Sequence, residues 1–146
     1  MLTTSDPVAV ANRLRPLLLR LHRDLRRELV ATGVTAGQAA LLHQIRVTPG
    51  VGVHELAVRE RVSTPAMSGY VDRLAAAGLV ERVRSESDRR RVGLRVTPAG
   101  GRLLRSVRSR RTAWLASRLR RLSASQMAAL EAALEPMALL LEEDGA

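Results

Sequence analysis

Two hydroxyl–proline pairs, Thr64-Pro65 and Thr97-Pro98, bracket the stretches of this 146-residue chain that alternate like β-strands. In each pair the hydroxyl suits a helix N-cap. The proline suits the first helical turn, where its missing N–H would have no partner in any case. Between the pairs, Val92, Leu94 and Val96 alternate with Gly93 and Arg95, the period of a half-buried strand. Leu79 to Arg84 reads as a weaker strand, and the turn joining the two is Ser85 to Arg91. Such punctuation predicts a mainly α chain with one small β-hairpin, an α+β fold.

The other helix starts are written in capping chemistry. Thr35-Ala36-Gly37-Gln38 and Ser123-Ala124-Ser125-Gln126 both fit the capping box, in which a hydroxyl and an amide satisfy orphan N–H groups reciprocally. A first helix is expected from about Pro7 to Ala31, with Leu14, Leu18, Leu21, Leu25 and Leu29 at helical spacing. Pro16 interrupts that run and predicts a kink or a late start, and Gly33 ends it. Gly52 to Glu60 carries a short helical pattern behind a glycine cap. The Thr64 helix has Met67, Tyr70, Val71 and Leu74 on one side and Pro65, Ser68, Gly69 and Asp72 on the other, with Gly78 closing it. The order is helix, helix, short helix, helix, hairpin, long helix, helix. Two helices joined by a tight turn and followed by a basic hairpin describe a winged helix-turn-helix. The expected organisation is one compact chain in three parts: 1–34, the reading region 35–100, and 101–146.

Charge points to the partner. The net charge is +10, and all 24 basic residues are arginine. That usage also suits a GC-rich genome, but basicity favours a polyanion, either nucleic acid or an acidic membrane surface. The sequence holds one tyrosine and one tryptophan, Tyr70 and Trp114, and no phenylalanine. Single-strand binders stack bases on several aromatic faces, so that mode is disfavoured, and a membrane-surface helix would lack aromatic anchors. Thr97 to Leu122 contains eight arginines and no acid, whereas Ser123 to the end contains five acids and no arginine. Those two segments carry charges that can offset each other within the fold or across a dimer.

A helix entering the major groove needs an apolar back and a front free of bulk, and the Thr64 helix has both. The turn "SESDRRR" adds what a minor groove admits. A narrow minor groove concentrates negative potential and accepts one extended guanidinium, and Arg90 is placed to supply it. Asp88, two residues earlier, is expected to hold that arginine extended by a charge-assisted hydrogen bond. Taken alone, "DRRR" would be a solvated charged turn. It is the position after this helix that favours the DNA reading.

The run "GVGVHELAVRERVSTPAMSGYVDRLAAAGLVERVRSESDRRRVGLRVTPAGGRLL" resembles the MarR family of bacterial transcriptional regulators. The pieces that carry the likeness are "ELA", "VDRLAAAGLVER", "DRR" and "VTPAG", covering roughly Thr35 to Leu104. The resemblance implies a homodimer built from the first, fifth and sixth helices, including Leu2 to Leu14. It also implies a pseudo-palindromic double-stranded operator and a regulator, a repressor released by a small aromatic or amphipathic effector. Carried over by position, Ser63, Thr64, Pro65, Ala66, Ser68, Gly69 and Arg73 fall on or beside the reading face. Arg84, Asp88, Arg89, Arg90 and Arg91 fall on the wing. Pro65, Ala66 and Gly69 stand where polar or basic side chains are common in the family, so direct base readout is thin and DNA shape carries more of the specificity. By the same resemblance His22, His43 and Trp114 lie on helices bordering an effector crevice.

Other functions find less support. No nucleophile elbow, phosphate-cradling loop or zinc-spaced cluster is present, so no enzyme and no cofactor is expected. No two of the three histidines share a helix face at metal-ligand spacing. Without cysteine there is no disulfide or thiol redox switch. With no membrane-length stretch and no leader pattern, a cytoplasmic protein is expected. The competing function is a non-specific architectural DNA-binding protein.

Overall fold

Hydroxyl caps begin most of the helices, as the sequence foretold, though not always at the residue expected. A computed structural model of the protein describes residues 5–142. Its elements are α1 (Pro7–Arg27), α2 (Ala36–Val47), α3 (Val53–Arg59), α4 (Thr64–Ala76), β1 (Val80–Arg84), β2 (Val92–Val96), α5 (Pro98–Leu119) and α6 (Ala124–Leu139). Both capping boxes form in full, at Thr35 with Gln38 and at Ser123 with Gln126. On α4, however, the cap is Ser63. Its hydroxyl accepts from the Ala66 N–H, and Thr64 is already helical. The hydroxyl of Thr64 lies instead 3.1 Å from His54 Nδ1 on α3.

The first helix also differs from its expected bounds. It begins at Pro7, capped by Asp6, and runs through Pro16, so the late start is not observed. It stops at Arg27, and a 3-10 turn, Val30–Thr32, completes the segment before left-handed Gly33 (φ 77). Leu2 lies outside the described residues.

The chain groups into two compact units that divide within α5, after Arg111. In the first unit the main core joins Leu42 and Ile45 of α2, Leu56 and Ala57 of α3, Met67, Val71 and Leu74 of α4, Val80, Leu94 and Leu104. Burying each large apolar side chain contributes about 1.5–3 kcal/mol, so this cluster holds the three helices and the hairpin together. A smaller cluster forms from Leu29, Ala39 and Val107. Tyr70 does not join the core as its spacing suggested: it is 43% exposed. The core side of α4 is narrower, formed by Met67, Val71 and Leu74.

β1 and β2 pair antiparallel with Val80 opposite Val96, Arg82 opposite Leu94 and Arg84 opposite Val92. The expected alternation on β2 is broken at its start, where Val92 is exposed and Gly93 buried. The reason is a third piece of backbone. Gly50 N–H donates to the Leu94 carbonyl, and Leu94 N–H donates to that of Val51, each at 2.9 Å. A Cβ on Gly93 would stand 2.5 Å from the Gly50 carbonyl oxygen. Leu79 is not part of β1, because its N–H donates to Leu74 and its carbonyl accepts from Thr97.

The second unit holds the rest of α5 and all of α6. Arg118 lies over the Trp114 ring, 5.1 Å from its centroid. No residue of α6 is buried: Leu130 and Leu134 are exposed on it, and Leu141 lies past the helix end at Leu139.

Candidate nucleic-acid interface

The first requirement of a DNA-reading helix is a rigid link to the helix before it. α3 and α4 are joined through Glu60, Arg61 and Val62. Val62 N–H reaches back to the Ala57 carbonyl at 3.0 Å. Arg61 takes the left-handed region (φ 53), a conformation that L side chains enter at a cost of about 1–3 kcal/mol. Val62 packs on the core, which offsets the strain. The His54–Thr64 hydrogen bond adds a second link between the same two helices. Spacing gave no signal for that role of His54.

With Met67, Val71 and Leu74 inward, α4 turns Ser63, Thr64, Pro65 and Asp72 outward, all exposed, with Ala66, Ser68 and Gly69 half-buried. This is a surface of small side chains, free of bulk. Arg73 is exposed but folded along its own helix: its Nε donates to the Gly69 carbonyl at 3.4 Å, and its guanidinium lies 5.4 Å from the Tyr70 ring centroid. Asp72 is engaged by Arg82 of β1 at 2.5 Å. Neither Asp72 nor Arg82 stood among the expected site residues. Their separation in sequence, 10 positions across a helix end, left no periodic trace.

The wing turn is built by short-range hydrogen bonds. Ser85 N–H donates to Arg91, and Arg91 N–H to Asp88, each at 2.9 Å. The Asp88 carboxylate accepts from the backbone N–H of Arg90 at 3.0 Å. The expected contact was to the Arg90 side chain. The carboxylate grips the main chain because an Asp two residues before an N–H closes a turn locally, without ordering a long flexible side chain. Asp88 thus sets where Arg90 leaves the turn and leaves its guanidinium unbound. Arg84, Arg89, Arg90 and Arg91 are exposed, and none of them is in an ion pair among the described residues. By contrast, Arg95 is neutralised across the strands by Glu81 at 3.0 Å.

Within the first unit, a cavity of about 500 Å³ lies beside α4, bounded by the α2 start at Thr35 and Gln38, by Leu41, Glu60 and Val62, and by Met67, Tyr70 and Arg73. His22, His43 and Trp114 are not among its lining residues. His22 is exposed on α1, His43 accepts a hydrogen bond from Arg46 at 3.3 Å, and Trp114 stacks with Arg118. Among the described residues no helix is long and apolar enough to cross a membrane.

The matching family model is that of the MarR family, over residues 34–92, which spans α2 through the wing turn. An HTH-type transcriptional regulator of Mycobacterium tuberculosis (strain CDC 1551 / Oshkosh) is 33% identical over 138 residues, covering 92% of this chain and 94% of the relative. The chain belongs to the MarR family. A MarR family protein from Bacillus stearothermophilus superposes with a TM-score of 0.77 at 24% identity, covering 96% of this chain and all of that one. A mutant of S. aureus MepR bound to an oligodeoxyribonucleotide superposes with a TM-score of 0.72 at 18% identity, covering 91% and 98%. The mainly helical fold with one antiparallel hairpin, expected from the punctuation and the strand alternation, is the fold of this chain, and it is the fold of the MarR structures it superposes on. The protein is a transcriptional regulator with a winged helix-turn-helix DNA-binding region.

Proposed function

We propose that this MarR-family regulator is a homodimeric, sequence-specific binder of double-stranded DNA, a repressor whose grip is released by a small amphipathic effector. The observation that carries the DNA reading is the wing: Arg84, Arg89, Arg90 and Arg91 stand exposed without acidic partners among the described residues, on a hairpin packed into the same core as α4. Cations held close together repel one another, and the phosphates of a duplex relieve that repulsion. The small outward groups of α4 leave few direct hydrogen bonds to base edges, which favours specificity by DNA shape at the wing.

Dimerisation is supported by what one chain leaves uncovered. Neither α1 nor α6 has a buried residue, and Leu17, Leu19 and Leu134 are each at least 60% exposed. A two-fold protein would impose a pseudo-palindrome with half-sites about one helical turn apart. For the effector, the cavity beside α4 offers apolar walls at Leu41, Val62 and Met67 and polar groups at Gln38, Glu60 and Arg73. Its occupant would touch the reading helix directly. The compartment of action is that of the DNA, the bacterial cytoplasm.

The wing provides the test. Arg90→Ala should cost about 1–3 kcal/mol and relax preference at the outer, A·T-rich ends of the site. Arg89→Ala should weaken all duplexes alike and lower the salt slope by about one. For Asp88→Ala, bare electrostatics demands tighter binding to any DNA. Because Asp88 holds the Arg90 main chain, site-specific affinity should instead fall while non-specific affinity rises. Equal tightening of both would leave the arginines a mere charged turn. A protein indifferent to the type of competitor DNA would be architectural rather than a regulator of one site.

A further inference from the structure

We infer that Asp72 and Arg82 form a positioning pair that fixes the offset between the helix in the major groove and the wing beside it, so that both engage one half-site in a single register. The inference rests on the DNA-binding function proposed above. Asp72 is the sole acid of α4, and it stands on the outward side of that helix, away from Met67, Val71 and Leu74. An unpaired carboxylate there would face phosphate and repel it. Its Oδ1 is instead 2.5 Å from a guanidinium nitrogen of Arg82. Arg82 occupies the middle of β1, opposite Leu94, two residues before the strand ends at Arg84. Successive side chains of a strand point to opposite faces. Glu81 therefore stiffens the hairpin on one face by pairing with Arg95, while Arg82 reaches α4 from the other.

The pair contributes little to folding. Both side chains are substantially exposed, at 40% for Arg82 and 63% for Asp72, and exposed ion pairs are screened and entropically costly. Its consequence lies in geometry. The core packs Val80 of β1 and Leu94 of β2 with α4, and Gly50 and Val51 hold Leu94 by backbone hydrogen bonds, yet these contacts leave the outward side of α4 untied to β1. Arg82 is the side chain of β1 that binds α4 by an ion pair, and it does so on that outward side. A swing of the wing relative to α4 would change how many base steps separate the bases under α4 from the minor groove under Arg90.

The experiment selects preferred duplexes from a random pool with the native protein, with Asp72→Asn, with Arg82→Gln, and with the reversed pair Asp72→Arg/Arg82→Asp. Affinities for the native-selected duplex and for an unrelated duplex are then measured at one salt concentration, alongside melting temperature. Melting should barely move in any variant. Asp72→Asn should bind the unrelated duplex more tightly, having lost a negative charge, yet its specific-to-unrelated ratio should fall about tenfold, the scale of one misread base pair. Arg82→Gln should lose the same ratio with weaker binding throughout. Sites selected by either variant should show a broadened spacing between the central bases and the A·T-rich ends. The reversed pair, with native net charge, should restore both ratio and spacing. If the ratio and spacing stay native in the single variants, or if the reversal fails to recover them, the pair is only a surface ion pair and the inference falls. A native protein that prefers no duplex would overturn the DNA reading itself, and the pair with it.

Discussion

Gly100→Ala is expected to lower stability by about 3 kcal/mol, whereas Gly101→Ala, one residue later, should raise it by about 0.5–1 kcal/mol. The two glycines sit side by side in the first turns of α5. A Cβ at Gly100 would collide with the carbonyl oxygen of Leu79 and come within 2.7 Å of Val96 Cγ1. The Leu79 carbonyl has no room to retreat, because it accepts the Thr97 N–H at 3.0 Å while Thr97 donates its hydroxyl to Gly78 at 2.6 Å. That knot seats α5 against the end of α4 and the start of β1. Relieving the clash means lifting α5 off the hairpin. At Gly101 the added methyl meets only the flexible end of Arg105, at 3.6 Å, and the gain is the smaller backbone freedom of the unfolded chain. Thermal melts of both variants check the pair of signs, with a fall on the order of 10 °C for Gly100→Ala. Equal shifts in the same direction would mean that α5 does not approach Leu79 as described.

Leu134→Glu combined with Met137→Glu is expected to split the proposed dimer and to reduce operator affinity by about 10²- to 10⁴-fold, the avidity gained when two linked modules engage one duplex. Leu134 is 60% exposed and Met137 half-buried on a helix with no buried residue, so in the isolated chain nothing about the fold requires them to be apolar. A two-fold interface sets a patch against its own copy. Each introduced carboxylate would therefore face another, on a segment that already carries Glu131 and Glu135. Light scattering should read half the native mass, with helical content unchanged by circular dichroism. A native protein that is monomeric at micromolar concentration would defeat the dimer proposal before any variant is made.

What the sequence determined by itself was the local grammar. Capping boxes at Thr35 and Ser123, the proline at the head of α5 and the glycine turns at 33 and 78 are interactions within a few residues, so the chain declares them wherever it goes. The arginine turn was legible for the same reason. Tertiary structure decided everything that depends on a neighbour distant in the chain. Gly93 is buried because Gly50 and Val51 add a strand edge that no periodicity announces. Tyr70 satisfies the helical spacing of a core residue, yet it lies outside the arc that the core covers and pairs with Arg73 instead. Asp88 had been expected to hold a guanidinium and holds a backbone N–H, because the turn folds its carboxylate inward. Asp72 read as an open polar residue until Arg82 was brought to it. Periodicity records which side of an element is apolar, but the partner that an outward residue meets depends on how the elements pack, and packing is a property of the whole core.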